Sequence, residues 1–137
     1  MDKYLTAIMS RTTGSAFSTA VGGRIYLDAA PDKATFPYCV FFIVSAVPNG
    51  TFTEDIDDIM IQFSLFSTSK GATEITGLYN KLTALFDDCT LTVTDALSLS
   101  FSRENLMTSV EDMTTTAGTA GVKHWSVDYL GKVHYTA

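Results

Sequence analysis

The sequence predicts an α+β fold: an antiparallel or mixed β-sheet with an N-terminal helix and a central helix packed on one face. Apolar residues recur at helical spacing in two places, Asp2 to Ala20 and Ile75 to Phe86. Runs rich in β-branched and aromatic residues lie between and after them. Gaps between consecutive strands are short enough for hairpins, which favours a sheet with helices on one side over alternating parallel units. The chain of 137 residues has no repeat and no Pro-rich linker, so residues 1–137 are expected to form a single domain.

In the first helix Leu5, Ile8, Met9, Ala16, Phe17 and Ala20 form the stripe, with a break or bend expected around Thr12-Thr13-Gly14. Val21-Gly22-Gly23 supplies the permissive backbone that ends helices, and Arg24-Ile25-Tyr26-Leu27 begins an extended segment. Ala30-Pro31-Asp32 reads as a turn, and Pro37 pushes Phe36 out of helical geometry. Tyr38 to Val44 is apolar on both faces, which describes a central strand covered on both sides, by helices or by a neighbouring subunit. After the turn Pro48-Asn49-Gly50 comes a strand from about Asp57 to Ser67. It carries Ile59, Ile61, Phe63 and Leu65 on one face and Met60, Gln62, Ser64 and Phe66 on the other.

Gly71 opens the second helix, where Ile75, Leu78, Tyr79, Leu82, Leu85 and Phe86 make the apolar stripe and Glu74 complements the N-terminal dipole. Leu91 to Val93 and Leu97 to Phe101 read as strand segments separated by a bend near Asp95. Periodicity then disappears from Arg103 to Gly121, where Thr, Gly, Ser and acidic residues dominate; a long loop is expected. The last strand runs from Val122 to about Tyr129 and on towards Val133.

Charged residues make up only 18% of the chain, below the roughly 25% of an average globular protein, so much of its surface must be covered by Thr, Ser and apolar groups. That suits a subunit that hides surface against copies of itself. The formal net charge is −6 and no basic run occurs, which argues against tight binding to phosphate backbones. No apolar run approaches the roughly eighteen residues that span a bilayer, and the first residues do not read as a leader. A soluble protein made in the cytoplasm, without a membrane partner, is expected. Cys39 and Cys89 sit in apolar surroundings and read as small buried hydrophobes in preference to a disulfide or metal pair.

Chemistry-bearing constellations are few. Glu54, Asp55, Asp57 and Asp58 form an acidic cluster, and Asp55, Asp57 and Asp58 are candidate oxygen ligands for a divalent cation. The glycine and terminal glutamate of an EF-hand loop are missing, so a solvated loop entering a strand is the favoured reading. His124 and His134 have no metal-spaced partners, and no Gly-x-Ser-x-Gly elbow or phosphate-binding loop is present. No catalytic residue and no cofactor are expected. The aromatics Phe36, Tyr38, Phe41, Phe42, Phe63 and Phe66 read as core packing more simply than as a cleft. Met60 and Phe66, pointing away from the helices, would need another cover, such as a neighbouring protomer.

Gly22-Gly23-Arg24-Ile25-Tyr26, then Ala30-Pro31, then Phe36-Pro37-Tyr38 and an apolar strand resemble the opening pattern of the phage tail-completion or tail-terminator family. The order of later elements extends the resemblance over nearly the whole chain. It implies a virion protein without catalytic residues, one of a ring of subunits, typically six, at the head-proximal end of a long tail. Such a ring stops polymerisation of the tail-tube protein and joins the head or its connector, while DNA passes through without specific binding. On this reading Arg24, Tyr26 and Tyr38 lie near a subunit boundary, and Glu54, Asp55, Asp57 and Asp58 at the lumen or ring face. The long loop would contact the tail tube or a head-joining protein. A head-tail connector or neck subunit is the first alternative. A monomeric module binding a small ligand or a protein, with a pocket lined by the Phe36 to Phe42 aromatics, is the second.

Overall fold

A computed structural model of the chain describes residues 2–50, 55–69, 71–115 and 118–135. The predicted N-terminal helix is divided into α1 (Asp2–Thr12) and α2 (Ala16–Ala20). Gly14, at φ 75°, takes the left-handed conformation that separates them, and Ser15 caps α2 by accepting from the Ser18 amide at 3.1 Å. Three further elements follow: β1 (Ile25–Leu27), β2 (Tyr38–Pro48) and β3 (Asp55–Ser67). Then come α3 (Thr73–Phe86), β4 (Ala96–Thr115) and β5 (Gly118–Tyr135).

The five strands form one mixed sheet in the order β1-β2-β3-β5-β4. β1 runs parallel to β2 and the other neighbours are antiparallel. All three helices contribute to a core laid on one face. Tyr4, Ile8, Phe17, Ile75, Leu82 and Phe86 pack there against Phe41, Ile59, Ile61, Phe63, Leu65, Val127 and Tyr129. Side-chain alternation along β3 makes the odd-numbered residues the core set, as the sequence pattern predicted. Among the described residues no helix is long and apolar enough to cross a membrane.

Polar contacts tie the helices to one another and to the sheet. Arg11 of α1 donates to the Leu85 carbonyl of α3 at 2.8 Å, satisfying a carbonyl near the open end of that helix. Buried Ser67 donates to Glu74 at 2.7 Å, so Glu74 fixes the start of α3 as well as complementing its dipole. Asp87, poorly placed electrostatically after a helix, accepts a hydrogen bond from Tyr129 at 2.6 Å and lies 3.4 Å from the guanidinium of Arg103. Arg103 also donates to the Tyr79 hydroxyl, so helix and hairpin are tied at this corner.

Four expectations are corrected. Residues 103–115 and 118–121 are not a loop but the paired strands of a long β4–β5 hairpin, with Val110 opposite Lys123 and Thr115 opposite Gly118. Thr, Ser, Gly and acidic residues dominate this stretch and carry no apolar period, so periodicity could not reveal the pairing. Leu91 and Val93 are buried but belong to no strand. β1 and β2 do not form a hairpin; residues 28–37 carry the chain back to the start of a parallel strand. Nor is β2 the centre of the sheet, a place taken by β3, and its second face is covered by the chain's own residues 28–36 and not by helices.

Cys39 and Cys89 are free and buried. Burial pushes the Cys39 thiol and the Tyr4 phenol well above their ordinary values of 9.0 and 10.0. For Tyr129, burial and then the hydrogen bond to Asp87 act the same way. Each group therefore loses its proton more readily when unfolded. Stability is fully present below about pH 9 and falls as pH rises beyond it, by about 1.4 kcal/mol per pH unit for each group past its unfolded value. Denaturant titrations between pH 8 and 10.5 should show this decline, and Cys39→Ala should make it shallower by about one proton.

Candidate functional site

The second face of the sheet carries no helix. Tyr38 stacks on Phe66 with ring centroids 4.8 Å apart, and Phe66 stacks on His124 at 4.4 Å. Tyr26 and Phe36 flank Tyr38 at 6.1 and 5.1 Å, so an aromatic row crosses β1, β2, β3 and β5. Above it the arm of residues 28–36 encloses a groove of about 550 Å3, floored by Val40, Phe42, Gln62, Ser64 and Phe66.

The arm is held by the residues that carried the family resemblance. Gly22 and Gly23 have φ values of 61° and 75°, and the Gly23 amide returns to the Ser18 carbonyl at 2.8 Å, closing α2 as a left-handed helix exit. A Cβ on Gly22 would sit 2.5 Å from the Arg24 guanidinium, so the glycine also makes room for that side chain. Arg24 donates to the Pro37 carbonyl at 3.0 Å and the Phe36 carbonyl at 3.4 Å, across a cis Phe36-Pro37 bond. The Cys39 amide then bonds the Arg24 carbonyl at 3.0 Å and sets the β1–β2 pairing. Arg24→Ala should free the arm, lowering stability by about 1–2 kcal/mol and exposing the backbone of residues 28–37 to faster hydrogen exchange. Unchanged protection of that segment would contradict the role given to Arg24.

Of the residues singled out from sequence, Tyr26, Tyr38, Met60 and Phe66 share this second face, and Arg24 anchors its arm. The acidic cluster is dispersed by strand alternation, which puts Asp55 and Asp57 on the helix-bearing side and Asp58 on the other. Asp58 accepts from Asn49 at 3.0 Å and faces Lys132 at 3.6 Å. Asp57 hydrogen-bonds Tyr135, whose phenol is pushed up by burial and by this neighbour. Glu54 lies outside the described residues. Among the described residues no group of three or more His, Cys, Asp or Glu is placed to hold a metal ion.

Sequence reasoning missed a second feature. The large apolar residues most exposed among those described are Leu27, Val44, Val47, Leu97, Met107 and Val110, from 41% to 69% exposed, and all six lie on the two outer edges of the sheet. Leu27, Val44 and Val47 belong to the β1–β2 edge; Leu97, Met107 and Val110 belong to β4. A signal was present, since no charged residue occurs between Lys33 and Glu54. Past Lys123, the last described partner of β3, the β4–β5 hairpin continues as a two-stranded ribbon with no third strand among the described residues.

Residues 6–129 match the family model described as tail completion protein gp17. No curated protein matches the chain. Among solved structures, a chain from the virion of a native gene transfer agent (GTA) particle shares the fold, with a TM-score of 0.66 and 11% identity over 92% of this chain and 91% of that one.

Proposed function

The chain belongs to the tail completion protein gp17 family, structural proteins of the phage tail, and on that premise we propose that it is the ring-forming terminator of a long tail. Six-fold rings of this subunit cap the tail tube, end its polymerisation and offer the surface that the head or its connector joins. The observation that carries the self-association is the placement of exposed apolar residues on both outer edges of one sheet. A subunit with two different sticky edges associates head to tail, and such contacts either close under rotation or run on as a fibre.

The groove and the β4–β5 ribbon are left for the tail-tube and head-joining partners. The acidic residues Asp55, Asp57 and Asp58 lie at the end of the sheet where β2 turns into β3, a ring face on this reading. A net charge of −6 keeps DNA phosphates from adhering as the genome passes. The reading needs one domain, no cofactor and no catalysis.

Electron microscopy of the purified protein and of particles lacking it tests the proposal. The purified protein is expected to form rings, and particles lacking it to show tails of irregular length and unjoined filled heads. Tails of normal length joined to heads in its absence would overturn it. The enclosed groove favours a second reading, a monomeric binding module. Sedimentation as a stable monomer at high concentration, with no assembly on tails, would support that one.

A further inference from the structure

We propose that copies of this chain join by strand pairing, with the open half of β2 in one copy lying antiparallel to β4 of the next, through Ser45–Val47 and Ser100–Ser102. The inference rests on the ring reading above and supplies its joint. β1 pairs with Cys39 to Phe41, so from Phe42 onward the outer edge of β2 is unpaired among the described residues. β4 is the last strand on the opposite side, and its outer edge is likewise unpaired among the described residues.

The ladders place the two edges at one height. Ser45 pairs with Met60, Met60 with Leu130 and Leu130 with Ser102. In the same way Ala46 leads through Ile59 and Gly131 to Phe101, and Val47 through Asp58 and Lys132 to Ser100. A rotation about an axis running roughly along the strands therefore brings these stretches side by side without a shift. Directions also agree. β2 and β5 run one way and β3 and β4 the other, so the new pair is antiparallel, like every neighbouring pair in the sheet except β1 with β2.

Both stretches are regular where pairing requires it. The irregularity in β2 falls between Ile43 and Ser45, and those in β4 between Ser98 and Ser100 and between Arg103 and Asn105. Pro48, which lacks an N–H, ends the β2 stretch. Edge strands that must stay single are blunted by charges, above all lysine. Phe42 to Asn49 has none, and Val44 and Val47 are half exposed there. In the joint Val47 would face the same side as Ser100, and Ala46 would meet the backbone beside Phe101.

The test is oxidation of the Val47→Cys/Ser100→Cys double variant. The native thiols are both buried, so they leave a low background. Disulfide-linked multimers rising to a closed ring, dissolved by reductant and lacking in each single variant, are the expected result. Val47→Lys should abolish rings while leaving the circular dichroism and melting of the subunit unchanged. Rings that form with neither cross-link nor sensitivity to Val47→Lys would overturn the joint and leave the ring reading standing. A protein that is monomeric in solution and never assembles on tails would overturn both.

Discussion

Gly131→Ala is expected to lower the stability of the protein by about 3 kcal/mol, because an added side chain has nowhere to go. Gly131 lies on the core face of β5 between Ile59 and Phe101, and α1 brings the ring of Tyr4 down onto it. A Cβ there would sit 2.0 Å from the Tyr4 hydroxyl oxygen, 3.2 Å from its Cζ and 3.1 Å from Phe101 Cδ2. Tyr4 is 1% exposed, so its ring can retreat only by lifting α1 from the sheet. The melting temperature should fall by on the order of 10 °C. Tyr4→Phe removes the closest atom, and the double variant should regain a large part of the loss. Taken alone, Tyr4→Phe should be neutral or stabilising, since the buried hydroxyl has no hydrogen-bond partner among the described residues. A wild-type melting temperature for Gly131→Ala would disprove this packing.

Phe63→Ala should cost about 4 kcal/mol, the upper range for deleting a buried aromatic ring. Phe63 occupies the middle of β3, the central strand, and is fully buried. Its ring lies 5.8 Å from Phe41, 4.8 Å from Phe86 and 5.7 Å edge-on from Tyr129. It therefore joins two neighbouring strands to α3, and the cavity left by alanine is walled by rings that cannot collapse into it. Denaturant unfolding should show a lower midpoint with the slope retained, as expected when stability falls and the unfolding surface does not. Phe66→Ala is the control. It sits three residues along on the half-covered face, and should cost visibly less while opening the groove.

The two helical stripes and the odd-numbered face of β3 were legible because each buries one side and exposes the other, which writes a period into the chain. Gly22-Gly23-Arg24 and Phe36-Pro37 were legible as a pattern, but their meaning was not. That Arg24 reaches across to the carbonyls of Phe36 and Pro37 depends on a contact between segments twelve and thirteen residues away. Among candidate site residues, Tyr26, Tyr38, Met60 and Phe66 do share a face. The acidic cluster, continuous in sequence, is divided between two faces once it enters a strand.

The β4–β5 hairpin marks where sequence reading runs out. Among the described residues its outer ribbon has no third strand to impose a period on its composition, and the same Thr- and Ser-rich stretch would serve equally as a loop. The strand order, the parallel β1–β2 pair and the six apolar residues on opposite edges are likewise products of long-range pairing. By itself the sequence determined the fold class, the helical and central-strand core residues and the family, because those depend on local periodicity and short-range turn chemistry. Only the tertiary structure decided which strand ends the sheet, which apolar residues stay uncovered and which of them share an edge, because hydrogen-bonded ladders between distant segments set those positions and leave no period behind.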